Sequence, residues 1–164
     1  MFDPDIDNSE FIEFLNISSD SVNIGGWQIQ DENINLNKLS LISFILPPTQ
    51  SFLLIADSLA VSKYNLGPYL YKNVLGESSL GLINTGELIL LKDARGNTID
   101  SVWYSDKWHN KNFVITKNIS LERINPGLSG NDSKNWSSSV SSNGATPGSQ
   151  NSIFTDNRNR SNNI

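Results

Sequence analysis

An all-β chain folded as an antiparallel β-sandwich is predicted by three observations: many short apolar runs, turn signals between them at close intervals, and only one segment with helical character. The clearest stretch is Ser79 to Tyr104, where the runs Leu80 to Ile83, Glu87 to Lys92 and Thr98 to Tyr104 are separated by Asn84-Thr85-Gly86 and Asp93-Ala94-Arg95-Gly96. Gly86 closes the first turn where positive φ is needed, and Gly96 closes the second where a type I turn ends in a bulge. Both turns read as β-hairpins. In the middle run Ile89 and Leu91 share one face and Leu88 and Leu90 the other, which marks a central strand that needs further neighbours.

Taken in order, Glu10 to Asn16 is rich in β-formers, and Val22 to Gln30 follows a turn at Ser18-Ser19-Asp20. Asp31 to Lys38 is polar and loop-like. Leu39 to Leu46 is apolar until Pro47-Pro48 stops it, and Ser51 to Ala56 is the next strand. Asp57 to Tyr64 can start a short helix capped by Asp57 or Ser58, with Ala60, Val61 and Tyr64 on one side. After the hairpins, Ser105 to Lys117 is mostly polar except Phe113-Val114-Ile115. Ser120 to Ile124 and Asn135 to Val140 read as late strands, with Asn125-Pro126-Gly127 a turn between them. Residues 1–148 are therefore expected to form the domain and 149–164, poor in apolar residues, a disordered tail or linker.

The 164 residues carry 12 Lys+Arg against 17 Asp+Glu, a net charge of −5, and eight of the acids precede Lys38. Such a field repels phosphate backbones, so nucleic acid is not an expected partner. No run approaches the roughly 20 apolar residues of a membrane span, so no membrane insertion is expected. The chain has no cysteine and a single histidine, His109, read as a surface loop residue, so neither a histidine-based zinc site nor a thiolate mechanism is available. Gly127-Leu128-Ser129-Gly130 lacks nucleophile-elbow spacing. Asp3, Asp5 and Asp7 alternate as calcium ligands do. Asparagine at 8 and Phe14 at the twelfth position refuse an EF-hand, which leaves a loose calcium site beside a plain acidic turn.

Several pieces in this order resemble the lamin tail domain, in its bacterial form. They are EFIEFLN (10–16), Gly26-Trp27, SFLLIAD (51–57), NTGELILLKDARGNTIDSVWY (84–104), SLER (120–123), Asn135-Trp136 with its serines, and GATPGSQN (144–151). The resemblance implies an immunoglobulin-like sandwich. Trp27, Gly86, Gly96, Asp100, Glu122, Arg123, Trp136, Pro147 and Gly148 would be its structural motif positions. It also implies a strand upstream of the first one here, so that the first strand is expected to be cut short, and a parent protein that is secreted or on the cell surface. Residues 58–79 form an insertion with no matching motif, and the basic surface attributed to animal members has no counterpart in this acidic chain.

The resemblance implies a non-catalytic structural or interaction module without a cofactor, monomeric, with a protein or a cell-surface glycan as partner. Trp27, Trp103 and Trp136 are expected to fill the core, and Trp108 to be the exposed ring. Two further readings stand beside it: a carbohydrate-binding module, which needs exposed coplanar aromatics, and a hydrolase, which needs two carboxylates facing across a cleft. Glu122 and Arg123, adjacent on a strand, must face opposite sides, and Asp100 reads as a satisfied polar group at a strand edge.

Overall fold

The computed structural model describes residues 3–5, 7–31, 36–38, 44–67, 71–76 and 79–156. The chain is an all-β, immunoglobulin-like sandwich of mostly antiparallel strands. Its strands are β1 (Phe11–Leu15), β2 (Val22–Asn23), β3 (Gln28–Asp31), β4 (Leu36–Lys38), β5 (Ile45–Leu46), β6 (Ser51–Ile55), β7 (Tyr71–Val74), β8 (Leu88–Lys92), β9 (Thr98–Trp103), β10 (Leu121–Arg123) and β11 (Trp136–Ser138). One sheet runs β1-β6-β7 and the other β4-β3-β8-β9, with the short pairs β2-β5 and β10-β11 beside them.

β6 lies at the centre of the packing. Phe52, Leu53, Leu54 and Ile55 are all essentially inaccessible, so both faces of this strand are covered. Phe52 and Leu54 join Ile24, Ile29 and Leu91 in the main core between the sheets. Leu53 and Ile55 face the other way, into a second cluster with Phe11, Ala60, Leu66 and Ala145. The period-2 geometry of a strand divides the residues between two cores in this way.

The second cluster is roofed by an α-helix, α1 (Ser58–Lys63). Asp57 caps it, its Oδ1 accepting from Leu59 N at 2.7 Å, and Ala60 with Val61 and Tyr64 supplies the apolar side anticipated from the sequence. The helix has a topological role that the sequence did not disclose. β6 and β7 are parallel, Phe52 pairing with Tyr71 and Ile55 with Val74, and two parallel neighbours need a crossover, which α1 supplies. Residues 58–67 and 71–76 thus add a strand parallel to β6, while the other pairings among the described residues are antiparallel. Residues 39–43 of the apolar run before Pro47 lie outside the described residues.

β8 is central as expected, flanked by β3 and β9. The β8–β9 hairpin closes through Asp93, whose Oδ1 accepts from Arg95 N and Asn97 N, and Gly96 at φ 87°, with a bulge at Leu91/Lys92. The first expected hairpin is corrected: Leu80 to Ile83 is not a strand. The Asn84-Thr85-Gly86 turn forms, but the N–H groups ahead of it bond to carboxylates instead of a ladder. Leu80 N and Gly81 N donate to Glu10 Oε2, and Ile83 N to Glu87 Oε1 at 2.8 Å. The expected strand Val22 to Gln30 is likewise split, because Gly26 at φ 76° turns the chain between β2 and β3.

The domain boundary expected at Gly148 falls too early. Asn151 Nδ2 donates to Arg123 O, Ser152 N and Oγ both donate to Glu122 Oε2, and Thr155 N donates to Ile124 O. Polar contacts hold this segment, which is why a search for apolar runs passed over it. The remainder of the expected tail, 157–164, lies outside the described residues.

Two outcomes follow from this arrangement. Gly86 sits at φ 122°, and a Cβ there would collide with the Tyr104 carbonyl and stand 2.8 Å from Ser105 Cα, whereas a Cβ on Gly96 meets nothing within 4 Å. Gly86→Ala should therefore cost more than about 2 kcal/mol in urea unfolding and Gly96→Ala only about 1 kcal/mol. Equal costs would remove the close approach from the account. Truncation after Asp156 should leave the thermal midpoint unchanged, whereas truncation after Gly148, which strips two of the donors from buried Glu122, should lower it by roughly 5 °C or more.

Candidate functional site

The loops at one end of the sandwich enclose an open groove of about 520 Å³ between residues 113–119 and 139–144, with Lys63 at its margin. Its walls are set by backbone constraints. Asn118 is left-handed at φ 63°, and Gly144 at φ 78° passes so close to the Asn118 carbonyl that no side chain fits there. Gly144 O accepts from Ser120 N at 2.8 Å, which ties the second loop to the start of β10. Phe113, Ile119 and the serines 139, 141 and 142 line it, and Val140 projects at its rim. Val114 is 98% exposed, Ile115 72% and Val140 61%.

The acidic N-terminal segment braces this end. Asp5 N donates to Asn118 Oδ1 at 2.8 Å and Asn118 N to Asp3 O at 2.9 Å. Asp5 pairs with Lys117 at 3.5 Å and Asp7 with Lys63 at 3.2 Å, while Asp3 Oδ1 accepts from Asn84. The three aspartates are thus spent on separate contacts. Among the described residues no three His, Asp or Glu side chains gather as a metal-ion cluster.

The tryptophans are placed differently from expectation. Trp103, expected in the core, is 55% exposed on the edge strand β9. Trp108, expected to be the exposed ring, packs against the main core and lies 6.2 Å from Trp136, the ring planes 34° apart. Trp27 is partly buried against the same core, and Trp136 is half-buried with its Nε1 donating to Gly130 O at 2.8 Å. The reversal has a simple cause. Val102 packs against the main core, so its neighbour Trp103 takes the opposite face, and sequence alternation alone left the sign of that choice open. His109 is also corrected, from a surface loop residue to a buried one. Its Nδ1 lies 2.8 Å from Ser138 Oγ, and burial pushes the imidazole below its ordinary value.

The carboxylates that sequence reasoning left unassigned have structural surroundings. Glu10 and Glu87 cap backbone N–H groups of residues 80–83, and the Tyr104 hydroxyl lies within reach of both Ile83 O and Glu87 Oε1. Burial raises the Glu87 carboxyl and, together with the Glu87 charge, the Tyr104 phenol. Glu122 and Arg123 face opposite sides of β10, as adjacency on a strand demands; Glu122 is buried, and Arg123 shares its face with Leu121, which packs against the main core. Glu122 accepts from Thr146 Oγ1, Ser120 Oγ and both donors of Ser152. Arg123 Nη1 reaches Asp100 Oδ2 at 3.4 Å and its Nη2 donates to Leu128 O. Pro147 is buried, and Gly148, at φ 74°, donates its N–H to Glu13 Oε1. Among the described residues, no carboxylate and no histidine lines the groove.

The profile of the Lamin Tail Domain family matches residues 1–106, more than half of the chain. No curated protein matches the sequence. Apart from Lys63, the groove residues lie beyond the matched span, in the part that carries β10, β11 and their loops.

The ring placement has a direct optical readout. Trp103→Phe should remove most of the iodide-quenchable emission, whereas Trp108→Phe and Trp136→Phe should leave the quenched fraction nearly unchanged. Quenching carried chiefly by Trp108 would contradict the placement.

Proposed function

This chain belongs to the lamin tail domain family, and from that premise we propose that it is a non-catalytic interaction module, an accessory domain of a larger exported or cell-surface protein, that engages a protein partner at the groove end. The observation that carries this reading is exposed apolar surface at the groove: Val140 lines it and stands in solvent, and Val114 and Ile115, which follow the lining residue Phe113 in sequence, are exposed as well. An exposed β-branched side chain lining a concavity, with two more on the loop that supplies Phe113 to it, offers a contact surface that a lone exposed residue does not. The groove's hydroxyl-rich wall supplies hydrogen-bonding groups around that apolar rim, the usual anatomy of a protein contact.

The two other readings draw less support. A flat sugar platform calls for coplanar exposed rings, and Trp103 is exposed while Trp108 and Trp136 are tilted against each other. A hydrolase calls for two acids across a cleft, and the buried glutamates are engaged with backbone and hydroxyl donors. A net charge of −5 argues against a nucleic-acid partner, and the module is proposed to act as a monomer.

A photo-crosslinking amino acid placed at position 114 or 140 should capture one protein from the native surroundings, and the same probe at position 95, on the β8–β9 turn, should not. Absence of any adduct at 114 and 140, with saturable quenching of Trp103 by a soluble polysaccharide, would replace this reading with the carbohydrate one.

A further inference from the structure

We propose that residues 146–155 form a pH-gated strap, latched onto the sandwich by two carboxylates, the partly buried Glu13 of β1 and the buried Glu122 of β10, and loosened as the medium passes from mildly acidic to alkaline. The strap has no ladder of its own. It is fixed where Gly148 N donates to Glu13 Oε1 at 3.1 Å, Thr146 Oγ1 to Glu122 Oε1 at 2.8 Å, and Ser152 N and Oγ to Glu122 Oε2 at 2.7 and 2.8 Å.

The two latches differ in how well they are supported. Glu122 is surrounded by four donors, counting Ser120 Oγ, which compensate an ionised carboxylate for its removal from water. Glu13 has the Gly148 N–H and the Ser51 hydroxyl. The like charge of Glu122 faces it from β10. Burial is the largest influence and pushes the Glu13 carboxyl from 4.5 up to about 7.

With the strap lifted, Glu13 meets water and regains its ordinary value. Between that value and 7 the latched state keeps a proton that the open state has lost. Rising pH across this window therefore favours opening, by up to roughly 300-fold, and the effect saturates above it. Opening at the strap exposes Glu13 without breaking the ladder that pairs β1 with β6, which any route through the sheet would have to break. The same motion reaches the groove. Ser152 Oγ accepts from Val140 N at 2.9 Å and lies 3.1 Å from Ser139 Oγ, so lifting the strap frees one wall.

The proposal is tested on the whole chain by amide hydrogen exchange, with opening constants corrected for the intrinsic pH dependence of exchange. From about pH 5 to about pH 8 the constants at Gly148 and Ser152 should rise at least about tenfold while those of Leu53 and Leu54 stay level, and Glu13→Gln should abolish the rise. Constants that do not change with pH, that rise equally in β6, or that rise unaltered in Glu13→Gln would overturn it. Should that variant fail to fold, carboxyl ¹³C titration of the unaltered chain decides: a Glu13 midpoint near 7 supports the latch, and one near 4.5 sinks it.

Discussion

A strand with no solvent face governs this structure. Phe52 to Ile55 of β6 are buried on both sides, and at about 1.5 to 3 kcal/mol for each large apolar side chain removed from water, this one strand contributes on the order of 10 kcal/mol before chain entropy is counted. Such a strand obliges the rest of the chain to provide two covers. The second sheet covers Phe52 and Leu54; helix α1 and the segment around Ala145 cover Leu53 and Ile55. The insertion after β6 and the C-terminal segment, which have little in common as sequence, share this task.

Buried glutamates do for the irregular segments what ladders do for the strands. The N–H groups at 80 and 83 and those of Gly148 and Ser152 would be orphaned within the protein without Glu10, Glu87, Glu13 and Glu122. A carboxylate accepting from several donors replaces part of its lost hydration, so these acids can be buried where an isolated one could not. The net negative charge of the chain is thus partly internal, and composition alone overstates the acidity of the surface.

The family match and the groove occupy different parts of the chain. The matched span, residues 1–106, holds both sheets of the sandwich, while the groove is built almost entirely from loops that follow it. A rigid sandwich that presents loops at one end is the usual division between scaffold and contact surface, in which loop residues change without disturbing the core. The acid-lysine pairs Asp5–Lys117 and Asp7–Lys63 are solvent-facing and add little stability; the backbone and amide bonds at Asn118 position that end of the groove.

The sequence by itself determined the all-β class, the central place of β8, the β8–β9 hairpin, a short helix capped at Asp57 or Ser58, and the opposed faces of Glu122 and Arg123, because each depends on local spacing or on the conformational freedom of one residue. Tertiary structure alone decided that β7 pairs parallel to β6, that residues 80–83 bond to carboxylates instead of a neighbouring strand, that Trp103 faces solvent while Trp108 packs inward, and that the chain stays anchored past Gly148. Alternation shows that a strand has two faces but not which one meets the core, and a glutamate in sequence carries no sign of the backbone groups, tens of residues away, that it will serve. Those assignments depend on which segments meet, and the burial of β6 on both faces fixes that.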